Sequence, residues 1–404
     1  MSKNYSCQYL EKSLTLLPTS EVRPCCRFDV SRYDVKDFTW DHKTPLEEFY
    51  TSAQYKMIRQ QSRSGLPVAG CHRCYREEDL GIKSMRQKDF PGDAASCDDE
   101  TLKISMIELG VGRICNLKCR TCDPYFSTKW ETDALIANKP IPDKGLDVDL
   151  DALDVQFFRN TRFLKITGGE PFYHSAFETL IHRLVQEGLS ANIDIEIFSN
   201  ATKLPDEVFV EALKGFRTVT MTLSIDGLGA TNTYLRHPSR WKDIEKSVDF
   251  WLGLRASQIA LKVQFAVTVS VFNILSLFDL LDWLYKLETN EPGIIIQNVQ
   301  DPTHLNVSHW PLQIRQAIQS KFLQQKEAFL ETHVVNTTLV KRIGNIEKML
   351  DSVIEQKDVS EQFWRETLAL DKARNETFSK VFPELFQIVS SSLNKEFTEF
   401  RSGI

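Results

Sequence analysis

The chain has 404 residues, 42% of them apolar and 26% charged, which fits a globular protein of two or three structural units and excludes global disorder. A formal net charge of -6 disfavours a nucleic-acid backbone as main partner, because phosphate binding needs a basic surface. The stretch MSKNYSCQYLEKS lacks the apolar core of a secretory signal, and no run of about 18 apolar residues marks a membrane span, so a cytoplasmic protein is expected.

In chain order, residues 1–98 come first and hold Cys7, Cys25, Cys26, Cys71 and Cys74 with little periodicity between them. Nine cysteines in a reducing compartment are poor disulfide material, and their odd number and tight local spacing point to metal ligation or thiol chemistry. Cys97, alone in the acidic linker from Pro91 to Glu100, reads as a free thiol. Lys103 to Leu109 alternates apolar and polar residues as a strand does and leads into a cysteine loop.

Strands are then predicted over Phe163 to Thr167, Ile193 to Phe198, Thr218 to Ile225, Leu261 to Val271 and Gly293 to Gln297. Between them, helical spacing marks Ser175 to Glu187, Asp206 to Leu213, Trp241 to Leu254 and Ile274 to Leu287. Strands alternating with helices imply an α/β fold with a parallel sheet, here a partial (β/α)6 TIM-like barrel over residues 99–305, with functional loops at the carboxyl ends of the strands. Residues 306–404 turn helical and charge-rich, as in Ile314 to Thr332 and Leu339 to Glu355, and predict a C-terminal helical extension without chemistry of its own.

The motif that carries chemistry is Cys115-Asn-Leu-Lys-Cys119-Arg-Thr-Cys122, after a predicted strand and before a predicted helix near Ser127. Soft thiolates suit an iron–sulfur cluster, and three of them leave one iron open to an exogenous ligand. A structural zinc loop is the rival, but zinc sites pair Cys-x-x-Cys units, and no second pair follows this triplet.

Here the sequence resembles the radical S-adenosylmethionine (SAM) superfamily, whose cluster loop is Cys-x-x-x-Cys-x-x-Cys after the first barrel strand. The resemblance implies that Cys115, Cys119 and Cys122 hold a [4Fe-4S] cluster whose open iron is chelated by the amino and carboxylate groups of SAM. Reductive cleavage of SAM would give a 5′-deoxyadenosyl radical that abstracts hydrogen from substrate. Thr121 departs from the aromatic residue common at that position, which alters packing against adenine and not ligation.

Further segments fall where the resemblance requires them, at the ends of predicted strands. Gly168-Gly169-Glu170-Pro171 looks like the Gly-Gly-Glu motif, with glycines that let backbone approach a ligand and a carboxylate for the SAM ammonium. Ser199 and Asn200, in Phe198-Ser-Asn-Ala-Thr202, are similar to the segment near the SAM ribose, although alone they read as a helix cap. Ser224-Ile-Asp-Gly227 looks like a fourth-strand motif of peptide-modifying branches, with Ser224 toward SAM. Asp226 faces substrate or forms an Asx turn, and Arg236 holds an anionic substrate group or makes a surface ion pair; the residues leave both choices open. Val267-Thr-Val-Ser270 with Asn273 resembles a fifth-strand pattern.

The N-terminal cysteines resemble a SPASM or twitch domain, which carries an auxiliary [4Fe-4S] cluster, although here it precedes the barrel instead of following it. The resemblance implies Cys7, Cys25, Cys71 and Cys74 as ligands and Cys26 as the spare. Zinc fits those spacings as well. The expected enzyme acts on a peptide or protein and takes electrons from a low-potential donor such as flavodoxin or ferredoxin. A sugar- or nucleotide-derived small molecule is the alternative substrate, and a non-catalytic metal-stabilised binding protein the alternative from another class.

Overall fold

A computed structural model describes residues 4–79, 81, 83–91, 103–143, 147–255, 260–287, 293–351 and 359–390; Cys97 lies outside them. Eight strands of the described residues form one sheet: β1 (Ser13–Leu16), β2 (Val22–Arg23), β3 (Met106–Gly110), β4 (Phe163–Thr167), β5 (Asp194–Ser199), β6 (Thr218–Ser224), β7 (Leu261–Val269) and β8 (Gly293–Asn298). Their spatial order is β2-β1-β3-β4-β5-β6-β7-β8. All neighbours from β1 to β8 are parallel, and only β2 runs antiparallel, beside β1.

The six strands β3 to β8 are the predicted partial barrel, within three residues of the expected limits. Period-two alternation explains why these segments were legible. One face of the strands carries Ile107, Leu109, Leu164, Ile166, Ile195, Ile197, Val219, Met221 and Leu223, each no more than 1% exposed and part of the core. That core includes side chains of the intervening helices α5 (Ser175–Gln186), α6 (Glu207–Leu213), α7 (Gly229–Leu235), α8 (Trp241–Leu254) and α9 (Leu277–Leu287), among them Phe177, Phe209, Tyr234, Trp251 and Leu281.

The N-terminal module is not a separate bead. It contains α1 (Gln8–Lys12), α2 (Leu46–Tyr50), α3 (Ala53–Arg63) and α4 (His72–Asp79), and its strand β1 extends the barrel sheet. Ser13 pairs with Met106 and Leu16 with Leu109. The sheet therefore crosses the boundary expected at residue 98. A four-residue strand whose partner lies some 93 positions away leaves no local signature, since all four of its residues are buried and show no alternation.

The C-terminal extension is helical as expected: α10 (Leu312–Thr332), α11 (Thr337–Asp351), α12 (Val359–Arg374), α13 (Phe378–Val381) and α14 (Pro383–Ser390). Phe363, Phe378 and Phe382 close on Phe272, just beyond β7, with ring centroids 5.1 to 5.7 Å apart. Among the described residues no helix is long and apolar enough to cross a membrane.

Candidate cluster and cosubstrate site

The cysteine loop leaves β3 at its carboxyl end and runs beside the turn after β4. Gly169 N–H donates to the Gly112 carbonyl at 2.8 Å, and Glu170 N–H to the Ile114 carbonyl at 2.9 Å. A Cβ on Gly169 would stand 2.2 Å from the Ile114 oxygen, and Gly168 has φ +115° with Gly112 O 2.9 Å from an added Cβ. Both glycines are thus required by close approach to the chain's own backbone, whereas the sequence suggested approach to a ligand.

Glu170 is fully buried. Its carboxylate accepts from Ser199 Oγ at 2.9 Å and from Asn200 N–H at 2.6 Å, which joins the turn after β4 to the end of β5. Burial pushes its pKa up to about 7, against these hydrogen bonds. Asn200 continues the link: Nδ2 lies 3.7 Å from Cys115 Sγ and 2.9 Å from Asn116 Oδ1. Ser199 and Asn200 thus bind the carboxylate and the cysteine loop, and no helix cap is needed to account for them.

Ser224 is partly buried at the carboxyl end of β6. Asp226, 2% exposed, forms neither an Asx turn with Gly227 nor an open contact. Its Oδ2 accepts from Arg236 Nε at 2.8 Å, and its Oδ1 from Thr268 N–H at 2.8 Å. Arg236 accordingly makes a buried pair and not the surface pair that was one expectation; its charge acts on Cys119 and Cys115. Asn273 Nδ2 donates to the Asp226 and Thr268 carbonyls, which gives the fifth-strand pattern a structural role.

The loop itself is held on every side. Lys118 N–H donates to His237 O and Arg120 N–H to Leu235 O, both at 2.7 Å. Trp130 Nε1, on a short 3-10 turn (Thr128–Thr132) in place of the predicted helix, donates to Cys119 O at 2.8 Å. Lys139 Nζ donates to Cys122 O at 2.6 Å and sits 4.0 Å over the Trp130 ring.

Sequence reasoning gave the C-terminal helices no chemistry, and here the structure differs. Arg120, between Cys119 and Cys122, donates from Nη2 to Asp371 Oδ1 at 2.6 Å and to Glu376 Oε2 at 2.8 Å, and lies 3.7 Å over the Tyr234 ring. Arg374 Nε meets Asp133 Oδ2 at 2.8 Å, while Asp133 Oδ1 accepts from Lys118 Nζ at 2.6 Å. The end of α12 and the turn after it therefore bond Arg120 directly and reach Lys118 through Asp133. Pairs 241 and 251 residues apart carry no local signal.

Burial raises the thiol pKa of Cys115 to about 12, and raises Cys119 and Cys122 as well. Free thiols so placed stay protonated at neutral pH, and bonding to metal is what would hold them as thiolates. Three sulfurs beside backbone and amide donors fit an iron–sulfur cluster.

A second convergence is in the N-terminal module. Cys7, Cys25, Cys71 and Cys74 line one cavity with Phe28 and Met85. Cys26 does not line it; its Sγ contacts Met85 Sδ at 3.8 Å, and it bonds Glu108 beside Lys165. Burial raises Cys7 to about 11 and Cys71 to about 12. Among the described residues no three His, Cys, Asp or Glu side chains are already set as a cage for a single ion. A cubane cluster meets each thiolate at a different iron, so its ligands enclose a wider space.

Missed by the motifs is a polar floor on the other face of the sheet. Lys165 Nζ lies 3.2 Å from Glu108 Oε1, and Gln264 Nε2 donates to Glu196 Oε1 at 2.6 Å and to Thr222 Oγ1 at 2.8 Å. These residues come from β3 to β7, below the strand ends that carry the cluster loop. Mid-strand Glu, Lys and Gln breaking a β-branched pattern were the available signal.

Residues 109–283 match the model of the Radical SAM superfamily. No curated protein matches the chain. Similar solved structures include native anSMEcpe with bound AdoMet, at 17% identity over 57% of this chain and 63% of that one, TM-score 0.41. Streptococcus suis SuiB bound to S-adenosylmethionine matches at 14% identity over 70% and 62%, TM-score 0.34. SuiB bound to precursor peptide SuiA matches at 15% identity over 64% and 60%, TM-score 0.36. The chain spans less than two thirds of the length of each of these structures. Residues 109–283 of this chain are thus similar to the Radical SAM superfamily, which uses a [4Fe-4S] cluster and SAM.

Proposed function

We propose that the chain cleaves SAM reductively and abstracts hydrogen from a peptide or protein, working in the cytoplasm with a flavodoxin- or ferredoxin-type electron donor. The observation that carries this reading is the meeting of Cys115, Glu170, Ser199 and Asn200 at the carboxyl ends of three successive parallel strands, bonded into one unit. When bound, the cluster held by Cys115, Cys119 and Cys122 supplies the electron that breaks the sulfonium carbon–sulfur bond and yields the 5′-deoxyadenosyl radical.

The chain's own residues bind and orient. Glu170, caged by two donors, offers its carboxylate to the SAM ammonium; Asn200 fixes the Cys115 flank; Ser224 faces the cosubstrate from β6. Asp226, after β6, bonds Arg236 at the end of α7 and Thr268 N–H on β7, which supports a positioning role for the pair beside the substrate role expected from the sequence. Cys7, Cys25, Cys71 and Cys74 would hold the auxiliary cluster, with zinc as the competing occupant, and metal analysis of a Cys119→Ala protein decides between them. A peptide is favoured by the Ser224-Ile-Asp-Gly227 segment and the N-terminal cysteine set. The polar floor of Glu108, Lys165, Glu196, Thr222 and Gln264 supports a second reading, a hydroxyl- or amide-rich sugar- or nucleotide-derived substrate.

The test is anaerobic reconstitution with iron and sulfide, then assay of 5′-deoxyadenosine from SAM under a low-potential reductant. Cys119→Ala should abolish its formation and retain iron at the N-terminal site. Unchanged cleavage in that variant refutes the assignment.

A further inference from the structure

We propose that Arg374, in the last turn of the C-terminal helix α12, is a positioning residue of the SAM-binding cluster, donating N–H bonds from its guanidinium to sulfur on the Cys119 side. The inference rests on the radical SAM reading and goes beyond it by making the C-terminal extension part of the cluster site.

Arg374 is out of contact with water, its side chain 0% exposed. Nε is used on Asp133 Oδ2 at 2.8 Å, and the guanidinium lies 4.9 Å from the centre of the Trp130 ring. Both terminal nitrogens, Nη1 and Nη2, are buried and find no acceptor among the described residues. A charged fork left so is costly, so its persistence implies an acceptor that arrives with a bound group.

The neighbouring carboxylates are already committed. Asp133 holds Lys118 as well as Nε, Asp371 holds Arg120, the Tyr234 hydroxyl and Phe378 N–H, and Glu376 holds Arg120 and His237. The Trp130 indole on which Arg374 stacks donates to the Cys119 carbonyl, and the charge of Arg374 acts on the Cys119 thiol. The guanidinium is thus packed on the indole that holds the Cys119 backbone. Thiolate and sulfide are acceptors of the sign an arginine fork needs.

A cation donating to cluster sulfur favours the reduced, more negative state, so Arg374 raises the reduction potential of this cluster. In Arg374→Met at full iron load, an EPR-monitored redox titration should show a lower midpoint for the signal that is lost in Cys119→Ala. An unchanged midpoint at full load overturns the proposal. A second measurement compares parent and variant: pulsed EPR on the reduced, SAM-free protein with 15N-labelled arginine should reveal a weak 15N coupling that Arg374→Lys reduces, with Arg120 and Arg236 as the other labelled neighbours. Absence of coupling, or a coupling unchanged in Arg374→Lys, overturns the proposal. Failure of the underlying reading looks different, because no cluster signal would then depend on Cys119.

Discussion

At Gly169 the nearest backbone oxygen would be 2.2 Å from a methyl group, so Gly169→Ala must shift the Ile114 carbonyl that precedes Cys115. Loss of about 1–3 kcal/mol of stability is expected from such overpacking, together with lower iron loading. Gly253, in α8 with open space around it and no positive φ, is the control: Gly253→Ala should be neutral or stabilise by about 0.4–1 kcal/mol. Denaturant titration of both variants checks the contrast. Glu170 makes a pH prediction. Its folded pKa is raised from 4.5 to about 7, so in the free protein its stability contribution is present below 4.5 and is lost as pH rises through 7. The amino group of SAM, bound to iron through its lone pair, would donate N–H to the ionised carboxylate, so SAM affinity should fall about tenfold per pH unit below 7, a dependence absent in Glu170→Gln. Isothermal titration of SAM across pH 5.5 to 8.5 measures it, and a flat profile in the parent protein contradicts the role of Glu170.

The elements differ in how far the sequence exposes them. Strands β3 to β8 and helices α5, α8 and α9 were legible because each satisfies its own periodicity locally. The cysteine triplet was legible for a similar reason, since its ligands lie within eight residues. The clasp between α12 and the cluster loop was not, because Arg120, Asp371 and Glu376 meet only after the whole barrel has closed. Arg120 is 2% exposed and faces two carboxylates, so Arg120→Met leaves the buried Asp371 without its cation and Glu376 with His237 alone. About 3–5 kcal/mol of stability should be lost, since removing one partner strands the others. Thermal unfolding of the reconstituted protein provides the check, and a loss under 1 kcal/mol would mean that the clasp is decorative.

For the whole molecule, the N-terminal module and the barrel share one sheet. Leu14 and Leu16 are fully buried, and Tyr50 Oη donates to Ser13 O at 2.6 Å, so the module both lengthens the sheet and covers its edge. A fragment of residues 99–404 should therefore aggregate or lose cooperative unfolding; a monodisperse fragment with the melting temperature of the full chain would show that the two parts are independent. The central claim remains the open iron of the Cys115, Cys119 and Cys122 loop. Its most direct measurement is the EPR spectrum of the reduced, reconstituted chain before and after SAM. A signal that SAM reshapes, present in the parent protein and missing in Cys119→Ala, is the predicted result; zinc bound in the loop, or a Cys119-dependent signal indifferent to SAM, would contradict it.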